Sequence, residues 1–226
     1  MSKTIKEVAL ASVYTRQAEL SLRQRLLDVL QDDEKPQLVS YEEFLDQIDE
    51  DTLAEWVDGE VIMTSPASLR HQDISDFLVV VFRPYVEIHA LGFILSAPFQ
   101  MKLINSGREP DLIFLSQAHR ERLKETYLDG PADLVVEIIS PESIGRDRGD
   151  KFYEYEQAGI PEYWLIDPLR ERAEFYQLGK NALYQLVSPD AEGVYHSAQL
   201  PGFAIPVDWL WSPPRVLDAL RYLNLI

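Results

Sequence analysis

The sequence of 226 residues is 46% hydrophobic, has a formal net charge of −17 and contains no cysteine. That length suffices for one well-filled core, and the lack of cysteine excludes disulfides, thiolate zinc sites and cysteine nucleophiles. The negative charge argues against broad, non-specific duplex binding, because it repels nucleic acid at long range. No signal peptide is evident and no apolar run approaches the roughly 20 residues that span a bilayer, so we expect a soluble, cytoplasmic protein.

The first part of the chain, residues 1–38, is charged and amphipathic. Its leucines recur at near-helical spacing, and the stretch ends at Pro36. We therefore predict an N-terminal helical extension over 1–38, followed by a single domain over 39–226. The sequence Ser40-Tyr-Glu-Glu43 has the capping-box pattern and predicts a short helix that begins there.

A hairpin and a long helix are predicted next. Asp58-Gly59 lies between two short apolar-rich runs within Ala54 to Met63, which is the local chemistry of a tight antiparallel hairpin. From Leu69 to Ala90 apolar residues recur at spacings of three and four, which predicts a helix with Pro84 as its weakest point.

The middle of the chain is rich in β-formers. Three runs, 93–103, 111–115 and 133–139, predict strands, and the last is nearly continuous in apolar residues, as a strand buried on both faces should be. A helix over 146–158, ended by Gly159 and Pro161, and strands over 162–166 and 172–178 follow. This order indicates an α/β fold, with helices flanking a mixed β-sheet.

Two acids lie at the edges of these apolar strands. Glu137 sits inside Leu134-Val-Val-Glu-Ile-Ile139, where a carboxylate is costly unless a cation or hydrogen bonds compensate it. Asp111 opens its strand directly after Pro110. If the two strands are neighbours, the acids can bind one hard cation such as Mg²⁺. The plainer interpretation makes Asp111 a strand-entry residue and Glu137 a solvent-facing or arginine-paired acid.

Lys151 and His71 are the other candidates. Lys151 follows Glu137 by fourteen positions, early in the next predicted helix, from which its ammonium could stabilise negative charge on a phosphate; an exposed helix lysine is the alternative. The four histidines are scattered, and only His71 is singled out, for its place just after the hairpin and a Ser-Pro turn. The sequence has no glycine-rich phosphate loop and no G-x-S-x-G elbow.

These motifs together resemble a known superfamily. Glu109-Pro-Asp-Leu-Ile-Phe-Leu115 resembles the first acidic strand of the PD-(D/E)XK nucleases, and Asp133 to Pro141 resembles the second. The further combination of Val57-Asp-Gly-Glu60, Ser65-Pro66 with His71, Asp147-Arg-Gly-Asp-Lys151, Tyr155 and Gly159 to Pro168 is similar to the bacterial Uma2 family of restriction-endonuclease-like proteins.

The resemblance implies a restriction-endonuclease-like core and a metal-dependent endonuclease, with Asp111 and Glu137 as ligands of Mg²⁺, for which Mn²⁺ could substitute. It implies that Lys151 is a migrated catalytic lysine, because Ile139 stands where the superfamily pattern has its lysine. Glu60 and His71 are candidates for a further ligand or contact. Asp147 is expected to cap its helix or pair with a neighbouring arginine.

The expected function is hydrolysis of phosphodiester bonds in nucleic acid, with DNA as the expected substrate. A homodimer is also expected, because two-fold symmetry lets two single-cut sites attack both strands. Two alternatives stay open. One is a catalytically inactive nuclease-fold module that binds nucleic acid or protein. The other is an interaction subunit that assembles through the N-terminal helix and the aromatic stretch Trp209-Leu-Trp211.

Overall fold

The structure is a computed structural model that describes residues 38–47, 54–63, 67–141 and 143–226. The predicted helical extension over 1–38 therefore lies outside the described residues, apart from its last position, and stays a prediction. Within the described ranges, no helix is both long enough and apolar enough to cross a membrane.

The described residues form four α-helices and thirteen strands. The α-helices are α1 (Tyr41–Gln47), α2 (Leu69–Ile88), α3 (Lys151–Gln157) and α4 (Val216–Tyr222). Short helical segments of other types cover Gln117–Arg122, Arg146–Asp150 and Val207–Leu210. The strands are β1 (Ala54–Val57), β2 (Glu60–Met63), β3 (Gly92–Ser96), β4 (Gln100–Lys102), β5 (Ser106–Arg108), β6 (Leu112–Ser116), β7 (Tyr127–Asp129), β8 (Leu134–Ile138), β9 (Glu162–Asp167), β10 (Arg172–Leu178), β11 (Tyr184–Val187), β12 (Val194–His196) and β13 (Ala204–Pro206).

A six-stranded mixed sheet forms the centre, in the order β11-β10-β9-β8-β6-β3. The β8–β9 pair is parallel and the other neighbours are antiparallel. Because side chains alternate across a strand, Leu134 and Val136 of β8 pack with α2 on one face, whereas Val135 packs with Tyr155 of α3 on the other. Glu137 follows the parity of Val135, so the fold directs its side chain toward the α3 face.

A second sheet, in the order β2-β1-β5-β4-β7, carries the N-terminal hairpin. The hairpin is the predicted one: β1 and β2 pair antiparallel, with positive φ at Asp58 and Gly59, as a two-residue turn that follows the strand twist requires. Helix α1 also begins where the capping box predicts, since Ser40 N–H donates to Glu43 and Glu43 N–H donates to the Ser40 hydroxyl.

Two predicted elements differ from the structure. The run 93–103 is not one strand: Gly92–Ser96 pairs with β6 in the six-stranded sheet, whereas Gln100–Lys102 pairs with β5 and β7 in the other. The chain changes sheets at Pro98, which has no N–H for a ladder. The predicted helix over 146–158 is split into the π-helical turn Arg146–Asp150 and α3.

The predicted long helix and the later strands are confirmed. Helix α2 spans Leu69–Ile88 with Pro84 inside it, and β9 and β10 match the two predicted strands within a residue. Trp209 and Trp211 pack against the core cluster that includes α2. These are the aromatic residues of the interaction-subunit alternative.

Candidate functional site

The two predicted metal ligands belong to neighbouring strands: Glu137 lies in β8, and Asp111 directly precedes β6. In the antiparallel β6–β8 pair Leu112 faces Val136, and continuing that register by one residue brings Asp111 opposite Glu137. The Asp111 carboxylate also accepts a hydrogen bond from the Ile138 backbone N–H at 2.6 Å. The strands are therefore neighbours, as the metal-site prediction required, and the two acids reach the same end of the sheet.

Both acids line a pocket of about 460 Å³ at this end of the sheet. Its lining contains more acidic than basic side chains: five carboxylates stand against one lysine and one arginine, together with one histidine. These side chains are Glu55, Glu109, Asp111, Glu137, Asp147, Lys151, Arg146 and His71. The excess of carboxylates gives the pocket a negative potential.

Lys151 is buried at the centre of these acids. Its Nζ lies 3.0 Å from Glu55 Oε1, 3.0 Å from Glu137 Oε2 and 3.4 Å from Asp147 Oδ1, and the residue is 6% exposed. Burial alone would favour the neutral amine, but the charges of the three acids raise the pKa of Lys151 well above its ordinary value. The side chain is therefore a buried ammonium and not the exposed helix lysine of the alternative interpretation.

Glu137 is a buried acid of the pocket, 3% exposed. Burial raises its pKa above the ordinary value, even though the Lys151 ammonium opposes the shift. Its other oxygen, Oε1, accepts a hydrogen bond of 2.7 Å from the hydroxyl of Tyr155, which is itself buried. Nearby Glu109 has its pKa raised to about 7, by burial and then by the charge of Glu55. A further cation in the pocket would stabilise both carboxylates.

Glu55 is a site residue that the sequence analysis missed. It lies on β1, is 2% exposed, and contacts Arg108 Nη1 at 3.2 Å as well as Lys151. Burial opposes its ionisation, but Lys151 and Arg108 together hold the pKa of Glu55 below its ordinary value. The feature that could have revealed it is the one that revealed Glu137, an acid within an apolar strand, here Ala54-Glu-Trp-Val57.

The pocket suits a hard divalent cation. Carboxylate oxygens are the ligands such ions prefer, and buried Oδ1 of Asp147 accepts no hydrogen bond, although it forms an ion pair with Lys151 Nζ at 3.4 Å. In the described part of the chain, no group of three or more acidic and histidine side chains is arranged to hold a metal ion. Asp111 and Glu137 would supply two carboxylates, and Mg²⁺ commonly binds through one or two carboxylates and keeps several waters.

Comparison with known proteins identifies the family. The family model Uma2, described as "Putative restriction endonuclease", matches residues 41–208, well over half of the chain. The chain belongs to this family. A search of curated proteins found no match.

A solved structure supports the Uma2 fold. The crystal structure of a protein from Anabaena variabilis ATCC 29413, titled a putative nuclease belonging to DUF820, superposes with a TM-score of 0.66 at 18% sequence identity. The match covers 77% of this chain and 98% of that chain. At this identity the likeness concerns the fold, and it agrees with the restriction-endonuclease-like core that the sequence predicts.

Of the remaining predicted residues of this Uma2 chain, His71 lines the pocket and Glu60 does not. His71, near the start of α2, lines the pocket with Nε2 3.2 Å from Asp111 Oδ1. Burial opposes protonation of its ring, but the contact with Asp111 raises the pKa of His71 above its ordinary value. Glu60 is exposed on β2 and does not line the pocket. Asp147 makes no side-chain cap and pairs with Lys151 instead of with an arginine.

Proposed function

We propose that this protein is a divalent-metal-dependent endonuclease that hydrolyses phosphodiester bonds in DNA. One observation carries the proposal: Asp111, Glu137 and the Lys151 ammonium come together in a single pocket whose acids outnumber its cations. DNA is the proposed substrate because the family model is described as "Putative restriction endonuclease". The acid excess fits Mg²⁺, with Mn²⁺ as a substitute.

The proposed roles follow from the contacts. Asp111 and Glu137 would hold the cation, and the Ile138 N–H and Tyr155 hydroxyl fix the orientations of their carboxylates. When bound, a divalent cation neutralises phosphate charge and lowers the pKa of a water ligand. Lys151, held 3.0 Å from Glu137, would stabilise negative charge that develops on the phosphate. His71 would fix the position of Asp111 Oδ1, which lies 3.2 Å from its Nε2.

The same charge distribution bears on substrate binding. A pocket with five carboxylates repels a phosphate diester until a cation is bound, because like charges at close range cost several kcal/mol. DNA affinity should therefore depend on the bound metal. Fluorescence anisotropy of a labelled duplex measures this affinity. The duplex is titrated with the wild type in Ca²⁺ and in EDTA, and with Glu137→Ala in Ca²⁺. Equal affinity of the wild type in Ca²⁺ and EDTA would contradict the proposed placement of the phosphate.

We further propose that the chain acts as a homodimer in the cytoplasm. A single pocket cuts one strand, and two-fold symmetry would present a second pocket to the other strand. Light scattering during size-exclusion chromatography measures the mass of the native assembly. A monomer at working concentration would restrict the proposal to nicking of one strand at a time.

The decisive experiment measures cleavage of supercoiled plasmid and of single-stranded DNA with Mg²⁺, Mn²⁺ or EDTA. Wild type is compared with Glu137→Ala and Lys151→Ala, and with the matched surface variants Glu60→Ala and Lys180→Ala, whose side chains are exposed. We expect metal-dependent cutting that falls by about 100-fold or more in both pocket variants and is unchanged in both surface variants. Urea denaturation checks that each variant is folded.

The opposite result favours the binding-module alternative. If the wild type never cuts with any metal, or if Glu137→Ala cuts as fast as the wild type, the assigned chemistry is wrong. Metal-independent binding of DNA or protein by a folded, non-cutting chain would then identify an inactive nuclease-fold module.

A further inference from the structure

We propose that Glu55 is a positioning residue of this site. Together with Asp147 it balances the charge of the Lys151 ammonium, so that this charge neutralises Glu137 only in part and Glu137 can bind a divalent cation. The inference rests on the proposed function, since it assigns a role within the same pocket. It gives the N-terminal hairpin a part in the site, through a residue outside the motif of Asp111, Glu137 and Lys151.

The Lys151 ammonium lies among three carboxylates. Lys151 Nζ donates a hydrogen bond to Glu137 Oε2 at 3.0 Å, and it also forms ion pairs with Glu55 at 3.0 Å and with Asp147 at 3.4 Å. Glu55 and Glu137 contact the nitrogen at the same distance. In this arrangement the positive charge is shared, and Glu137 is one partner of three.

Glu55 keeps its place independently of Lys151. Its Oε2 contacts Arg108 Nη1 at 3.2 Å, and its Oε1 accepts a hydrogen bond of 3.2 Å from the Glu109 backbone N–H. Arg108 is in turn fixed by Glu154, at 2.7 Å from its Nε. Glu55 and Arg108 are 2% and 3% exposed, so solvent screens their ion pair only weakly. Arg108 and the Glu109 N–H therefore fix the Glu55 carboxylate, and this carboxylate in turn holds the Lys151 ammonium.

Loss of the Glu55 charge should redistribute these contacts. The ammonium would then have two acids left, and it would neutralise Glu137 more fully. A cation that binds through Glu137 must compete with that ammonium, so its affinity should fall. The same substitution should matter much less where position 151 carries no charge, because no ammonium is left to compete. This dependence on Lys151 separates positioning from a general loss of negative charge, which would act in both backgrounds.

The test measures Mn²⁺ affinity from the electron paramagnetic resonance signal of free Mn²⁺, a readout that needs no cleavage. Glu55→Gln is made in the wild type and in Lys151→Met, with Lys151→Gln as a second uncharged background in case the first does not fold. Glu60→Gln, an exposed acid of the same hairpin, is the matched control. We expect Glu55→Gln to weaken binding about tenfold or more with Lys151 present and less than about threefold without it, and Glu60→Gln to have no effect.

Two outcomes would overturn the inference: unchanged Mn²⁺ affinity in Glu55→Gln, or equal weakening with and without Lys151. Plasmid cleavage by the same proteins separates this inference from the proposed function. A chain that shows the Lys151-dependent effect on Mn²⁺ but never cuts DNA would keep the role of Glu55 and lose the nuclease chemistry. A wild type that binds no Mn²⁺ would overturn both.

Discussion

Replacement of Tyr155 by phenylalanine isolates one hydrogen bond to the proposed metal ligand Glu137. The Tyr155 hydroxyl donates to Glu137 Oε1 at 2.7 Å, and the two residues are 0% and 3% exposed. A hydrogen bond to a charged group contributes about 1.5–3 kcal/mol, and a buried acceptor left without its donor loses that stabilisation in full. The phenylalanine keeps the ring and its packing, so little else should change.

Two quantities should respond in Tyr155→Phe. The free energy of unfolding in urea should fall by about 1.5–3 kcal/mol, and Mn²⁺ affinity should fall by about 10–100-fold, as is usual when a group that orients a metal ligand is removed. The matched control is Tyr184→Phe, since the Tyr184 hydroxyl donates to the Ile160 carbonyl, away from the pocket. It should lose about 1 kcal/mol and bind Mn²⁺ normally. Wild-type Mn²⁺ affinity in Tyr155→Phe would refute the view that this bond orients Glu137 for a cation.

Two further predictions concern stability away from the pocket. Glu162 is fully buried and accepts hydrogen bonds from five donors; Glu162→Ala should therefore cost more than about 3 kcal/mol in urea unfolding, whereas exposed Glu192→Ala should cost almost nothing. A loss below about 1 kcal/mol in Glu162→Ala would contradict this account. Burial opposes ionisation of Glu174, but hydrogen bonds from Tyr176 and Arg148 hold its pKa below the ordinary value. The stability that this pairing gives is present above the unfolded pKa of Glu174 and is lost as pH falls through the lower folded pKa. The difference in urea midpoint between wild type and Arg148→Gln should therefore disappear below about pH 4. A difference that stays constant down to about pH 3 would count against the pairing.

The predicted elements that matched the structure are those with a strong local pattern. The capping box at Ser40, the Asp58-Gly59 turn and the apolar stripe of α2 each depend on residues a few positions apart. The prediction of a single strand over 93–103 was wrong for the same reason. Its residues are all β-formers, but which sheet each half joins depends on β5, β6 and β7, and a local pattern does not report distant partners.

The residues of the candidate site were also predictable from the sequence only in part. Asp111 and Glu137 could be picked out because acids are costly in apolar strands; Lys151 was a candidate from its position after Glu137, and the family resemblance implied its catalytic role. Glu55 was passed over in favour of Glu60, which is an acid of the same hairpin. Only the pairing of β1 with β5 shows that Glu55 points inward, to Arg108 and Lys151, while Glu60 is exposed.

The sequence by itself determined the fold class, the order of most elements and the two acids at the strand edges, because local periodicity and the cost of a buried charge leave a record in the residue types. The tertiary structure alone decided which charges meet. Glu55 and Arg108 are 53 residues apart in the chain, whereas Lys151 and Glu137 are separated by 14. Contacts of such range follow from how the sheets and α3 pack, and that packing gives Lys151 its three acids.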